Sequence, residues 1–116
     1  MSVSMSQKLV DPTNATDKRT VESAVVEGRT LEFRVGDING VQHAWTRLIN
    51  AQSGDEIWIN QTTDGGKTWQ SNLGRRKIQA GGRNYTDALP TSSSDQVRMQ
   101  GWTRLTSGKE YNTRAF

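Results

Sequence analysis

From Arg29 onward, apolar and polar residues alternate along the chain. Leu31, Phe33 and Val35 are interleaved with Thr30, Glu32 and Arg34, a period of two that predicts a half-buried strand. Gly36-Asp37-Ile38-Asn39-Gly40 follows, and its Asn-Gly pair is a hairpin signal. Val41 to Ile49 reads as a second strand, and Ala51-Gln52-Ser53-Gly54-Asp55 as a turn. Glu56 to Gln61 is a third strand, with Ile57 and Ile59 on one face and Trp58 on the other. A glycine turn at Asp64-Gly65-Gly66 leads into a strand through Trp69. Shorter alternations at Arg76 to Ala80, Asn84 to Leu89, Gln96 to Leu105 and Glu110 to Phe116 are separated by Gly81-Gly82 and by the polar run Thr91 to Asp95. Short strands with turns at this spacing predict an all-β fold, a small antiparallel sandwich or barrel over residues 29–116.

Residues 1–28 look different. They are rich in Ser, Thr, Asp, Lys and Val, contain Pro12 and have no aromatic residue. Val21 to Val26 fits one helical turn or a short strand. The stretch reads as an extended arm that orders only against something else, or as a flexible tail, and the β-domain is expected to fold without its first 20 residues.

The chain has 116 residues, enough for one domain. Only 32% of them are hydrophobic and the mean hydropathy is -0.78, so a few large side chains must carry much of the core. Four tryptophans, Trp45, Trp58, Trp69 and Trp102, are the natural anchors. There is no cysteine, which excludes disulfides, thiolate nucleophiles and cysteine metal sites. No apolar run approaches membrane-spanning length, and Met1 to Ala15 has no apolar core of the signal-peptide kind. The net charge of +3 is a mild basic excess, without the dense patch of a dedicated nucleic-acid binder.

A repeat links two of the predicted strands. Trp45-Thr46-Arg47-Leu48 recurs as Trp102-Thr103-Arg104-Leu105, and each copy is followed by Ser-Gly-x-Glu, at Ser53 to Glu56 and at Ser107 to Glu110. Two strand-turn units with pseudo-symmetry are expected. Trp45 and Trp102 would then pack into one core, each sharing a strand face with its arginine. The competing expectation is that both indoles lie exposed as a ligand platform.

The segment Thr62-Thr63-Asp64-Gly65-Gly66-Lys67-Thr68-Trp69 matches every defined position of Ser/Thr-x-Asp-x-Gly-x-Thr-Trp and resembles the Asp-box of sialidases and other β-propeller proteins. The physics is that of a hairpin turn: Asp64 accepts from backbone N–H groups ahead of it, Gly65 and Gly66 permit positive φ, Thr68 lies within reach, and Trp69 can fold back over the turn. The resemblance implies a structural role away from any active site, and the chain is too short for a propeller. A wider resemblance rests on Thr30 to Arg34, Ala44 to Leu48, Ser53 to Trp58, Asp64 to Trp69 and Leu73-Gly74. In order and spacing these are similar to a group of small secreted β-domain proteins of actinomycetes, bacilli and fungi. That resemblance implies an extracellular β-sandwich and no particular activity; the cysteine pair usual in the group is absent here.

Candidate chemistry is sparse. His43 is the only histidine, and no motif ties it to a serine or carboxylate. The twelve acids are scattered, with Asp55-Glu56 the adjacent pair, so a glycosidase pair across strands stays open. No cofactor or metal motif is present. Arg75-Arg76-Lys77 is the dense basic run; with aromatics nearby in space it would hold phosphate or a sulfated sugar, or it simply discourages edge pairing. Asn14, Asn60 and Asn84 head glycosylation sequons, and Lys18-Arg19 is a dibasic pair. The leading expectation is a non-enzymatic, extracellular module that binds a carbohydrate or protein surface through Trp58, Arg75, Arg76 and Lys77, as part of a larger secreted assembly. The alternative is a structural assembly protein, a virion decoration or tail component, that uses its N-terminal arm. A small hydrolase is the third reading.

Overall fold

The computed structural model describes residues 8–116. Eight strands form two antiparallel four-stranded sheets: β1 (Thr16–Val26), β2 (Arg29–Ile38), β3 (Val41–Ile49), β4 (Glu56–Thr62), β5 (Gln70–Lys77), β6 (Leu89–Pro90), β7 (Arg98–Arg104) and β8 (Glu110–Asn112). The first sheet runs β1-β2-β3-β6 and the second β5-β4-β7-β8. The all-β, sandwich-like expectation therefore stands, and β2, β3 and β4 begin at their expected residues. Asn39 and Gly40 both have positive φ (51° and 77°), as a two-residue I′ hairpin requires.

The core lies between the sheets in two clusters. One joins Val26, Leu31, Leu48, Ile57, Ile78 and Leu105; the other joins Phe33, Val35, Ala44, Ile59, Leu89 and Met99. Burying each Leu, Ile or Phe in full contributes about 1.5–3 kcal/mol, so the low apolar content is concentrated where it counts. Gly101 on β7 faces β2 and β3 across the core with no room for a side chain. A Cβ there would meet Thr46 Oγ1 at 3.1 Å and Phe33 Cδ1 at 3.2 Å.

Residues 16–26 depart from the expected arm. They form the outer strand of the first sheet, paired with β2 from Thr16↔Asp37 to Val26↔Arg29. Val26 is a core residue, while Ala24, Val21 and Leu9 pack against the two clusters. Further upstream, Val10 bridges to Ala88 through a reciprocal pair of backbone hydrogen bonds. The boundary drawn at residue 28 falls inside a hairpin turn, where Glu27 and Gly28 both take positive φ. The strand was hard to read because it is an edge: Thr16 to Thr20 are all exposed, and a register shift between Thr20 and Glu22 breaks its alternation.

The expected pairing of Trp45 and Trp102 in one core is also corrected. Both point away from it, on the outer faces of different sheets, because the inward positions of their strands belong to Ala44, Thr46 and Leu48 and to Met99, Gly101 and Thr103. Trp45 is nonetheless only 3% exposed. Its indole lies across β2 at Gly36, where a Cβ would come within 3.0 Å of the ring. The two repeat copies share local roles. Thr46 and Thr103 both donate to β4 carbonyls, of Trp58 and Glu56, and Leu48 and Leu105 meet in one cluster. Their connections differ: β3 to β4 crosses between sheets, while β7 and β8 form a hairpin within one.

Asp55, at the crossing, is fully buried. It accepts a two-pronged contact from Arg29 (Nε and Nη2, both 3.0 Å) and backbone N–H bonds from Gln52 (2.8 Å) and Thr106 (2.9 Å).

Candidate binding face

The outward residues of the second sheet bring two tryptophans together. Trp58 on β4 stands directly opposite Trp102 on β7, and their rings stack 6.0 Å apart at 19°. Arg75 on β5 lays its guanidinium 3.9 Å above the Trp58 ring. It is held there by Glu56 (Nε to Oε1, 3.2 Å) and by Asn72. Trp58 is therefore roofed and only 3% exposed, and the accessible aromatic surface belongs to half-buried Trp102. The Trp102 indole N–H donates to Gln100 Oε1 at 3.0 Å.

Asn60, Ser71, Asn72 and Glu110 complete a shallow concavity of about 270 Å³ around the stack. Asn60 is 7% exposed, and its Oδ1 has no hydrogen-bond partner among the described residues. A buried acceptor left unpaired is costly unless something else satisfies it. The face thus combines an aromatic surface with amide, hydroxyl, carboxylate and guanidinium groups.

The basic run divides. Arg75 faces the groove. Arg76 stands opposite Ile57 on the other side of β5, where its charge reaches Asp11, and Lys77 is exposed opposite Glu56. Of the four expected binding residues, Trp58 and Arg75 are brought into contact, Lys77 borders the same face and Arg76 leaves it. Trp102, Asn60, Asn72, Ser71 and Glu110 join them. Their signal was the outward half of each alternation, Gln100-Trp102-Arg104 and Trp58-Asn60, which reads as surface until the cross-strand register is known.

Thr62, Asp64 and Thr68 form a closed turn between β4 and β5. Thr62 Oγ1 donates to Asp64 Oδ1 (2.8 Å) and accepts from Gly66 N–H (2.9 Å); Asp64 accepts from Thr68 through both its N–H (2.9 Å) and its hydroxyl (2.6 Å). The Thr68 hydroxyl, Thr68 N–H and Thr62 hydroxyl together hold the Asp64 carboxyl at about 2, below its ordinary 3.8. Gly65 and Gly66 have positive φ (73° and 96°). Trp69, at the end of this turn, keeps 37% of its surface in solvent.

Acid–base chemistry finds little support in the geometry. The Arg75 hydrogen bond holds the Glu56 carboxyl below its usual range, the opposite of what a glycosidase proton donor needs. His43 is buried with its Nδ1 2.8 Å from the Val41 carbonyl, a local bond that fixes the ring. Among the described residues, no three His, Cys, Asp or Glu side chains group as metal ligands. No described helix is long and apolar enough to cross a membrane. Comparison with protein-family models, with curated proteins and with solved structures gives no match.

Proposed function

We propose that the protein is a non-catalytic binding module that takes carbohydrate on the outer face of its second sheet, in an extracellular setting. The Trp58–Trp102 stack carries this reading, roofed by Arg75 and bordered by the Asn60, Ser71 and Asn72 polar groups. A sugar ring would lie on Trp102 with its hydroxyls on the amides, while Trp58 and Arg75 stiffen the platform from behind. With its carboxyl held below the usual range by Arg75, Glu56 offers the face a fixed hydrogen-bond acceptor and not a proton donor. The assembly-protein reading drew on a free arm over residues 1–28; residues 16–26 are instead paired in the first sheet, which favours the binding-module reading.

The test is a titration with cello-, chito- and xylo-oligosaccharides, following the indole N–H resonance of Trp102. A saturable shift with at least one of them is expected, and it disappears in Trp102→Ala. Asn72→Gly, which keeps the positive φ of 63° at that position, weakens binding about tenfold, the worth of one or two hydrogen bonds. No saturable shift with any sugar, or a shift that survives in Trp102→Ala, overturns the proposal.

A further inference from the structure

The opposite face of the molecule carries a second concavity, of about 100 Å³, whose lining includes Lys18, Arg34, Trp45, Arg47 and Tyr85. Its position follows from the register of the first sheet. Arg34 on β2 pairs with Trp45 on β3, Arg47 lies two residues further along the same outer face, and Tyr85 bridges to Arg47 from the far side. The N-terminal segment closes the site, with Lys18 Nζ donating to the Thr13 carbonyl at 2.6 Å.

Charge there is unbalanced. Arg47 pairs with Glu32 (Nε to Oε1, 2.7 Å), but Arg34 has no carboxylate within ion-pair distance among the described residues. Its Nη1 donates to the neutral Thr20 hydroxyl at 2.8 Å. Three cations, Lys18, Arg34 and Arg47, thus line the concavity, and among the described residues only Arg47 of the three has a carboxylate partner. The other carboxylate close by, Asp11, is engaged by the Thr13 hydroxyl and N–H and by Arg83 at 3.5 Å. Burial and the neighbouring Arg47 charge both disfavour the protonated Arg34 guanidinium. Glu32 offsets part of this, and because guanidinium keeps its proton near neutral pH an incoming anion would be favoured beside it. Two guanidiniums and an ammonium around a small cavity present the forked donors that match a tetrahedral oxyanion.

We propose that this cavity is a binding site for a sulfate or phosphate group, held between Arg34, Arg47 and Lys18 over the edge of Trp45. It is independent of the sugar platform on the other sheet. The oxyanion is either free in solution or carried as an ester on a saccharide.

Inorganic sulfate, a sulfated disaccharide and its desulfated counterpart are titrated into the full chain at constant ionic strength, with the Trp45 indole N–H as reporter. Sulfate stabilises most proteins by exclusion from their surface, so the decisive readout is a saturable shift at Trp45 and not a rise in Tm. Wild type shows that shift with inorganic sulfate, and Arg34→Gln reduces the affinity at least tenfold. Tighter binding of the sulfated disaccharide than of free sulfate assigns the ester; equal or weaker binding assigns the free anion. Lys18→Gln, at an exposed position, should weaken binding more mildly and serves if Arg34→Gln does not fold. A linear, unsaturated response, equal binding of the desulfated sugar, or unchanged affinity in a folded variant of Arg34 or, failing that, Lys18 overturns the site.

Discussion

Single residues at the crossing between the sheets hold more than their neighbours. Asp55 is buried with four donors on its two oxygens, and those donors come from three separated stretches of chain. Asp55→Ala leaves Arg29 charged and buried with no counter-charge, so the urea midpoint should fall by the equivalent of about 3–5 kcal/mol. Substituting both partners, Arg29→Met with Asp55→Leu, should not restore it, because the backbone N–H groups of Gln52 and Thr106 stay unpaired. Equal stability of Asp55→Ala and the parent would show that the clasp is incidental. The sequence marks Asp55 only as a turn residue beside Glu56. Its burial depends on Arg29, 26 positions earlier, and local pattern holds no information about that distance. Gly36 is similar. It reads as the start of a turn, yet it is a strand residue whose missing side chain seats the Trp45 indole.

At the scale of elements, the β4–β5 hairpin shows which local signals are self-sufficient. Thr62, Asp64, Gly66 and Thr68 satisfy one another over seven residues, so most of the turn's geometry follows from local composition, while the Gly65 N–H reaches outside it to the Gln96 carbonyl at 2.9 Å. Asp64 titrates near 2 when folded and near 3.8 when free. Its folded value is depressed, so its contribution is complete above about pH 4 and is lost as pH falls toward 2. Asp64→Ala should lower the unfolding midpoint at pH 7, and the gap to the parent should narrow between pH 4 and 2. A constant gap across that range would place the effect elsewhere. The Asn39-Gly40 hairpin was legible for the same reason. The β1–β2 hairpin was not, because Glu27 takes a positive φ that its residue type rarely favours, and because β1 shows most of its length to solvent.

For the whole molecule, the first sheet depends on residues once read as peripheral. Val26, Ala24 and Val21 face its core, and the turn from Pro12 to Ala15 borders Trp45. Removing residues 1–26 should therefore abolish the single cooperative thermal transition and leave a partly ordered second sheet, as followed by near-ultraviolet dichroism of the tryptophans. An unchanged transition would return this segment to the status of an appendage. The candidate sugar site shows the same limit of local reading. The four tryptophans named it as a possibility, but Trp58 and Trp102 lie 44 positions apart in sequence and only cross-strand register makes them neighbours.

That register also sets an order of events. The three strands from Thr16 to Ile49 follow one another through two tight turns and can pair as soon as they exist. β4 cannot complete its surroundings in the same way: one of its two partners, β7, begins at Arg98, and the clasp at Asp55 waits for Thr106. During synthesis, Ile57 and Ile59 therefore emerge long before the strand that shelters them, and closing that loop carries an entropic delay. A chain interrupted before its last twenty residues would be born with its first sheet complete, its second reduced to β5-β4, and β4 unpaired along one edge, a state prone to pair with the wrong molecule.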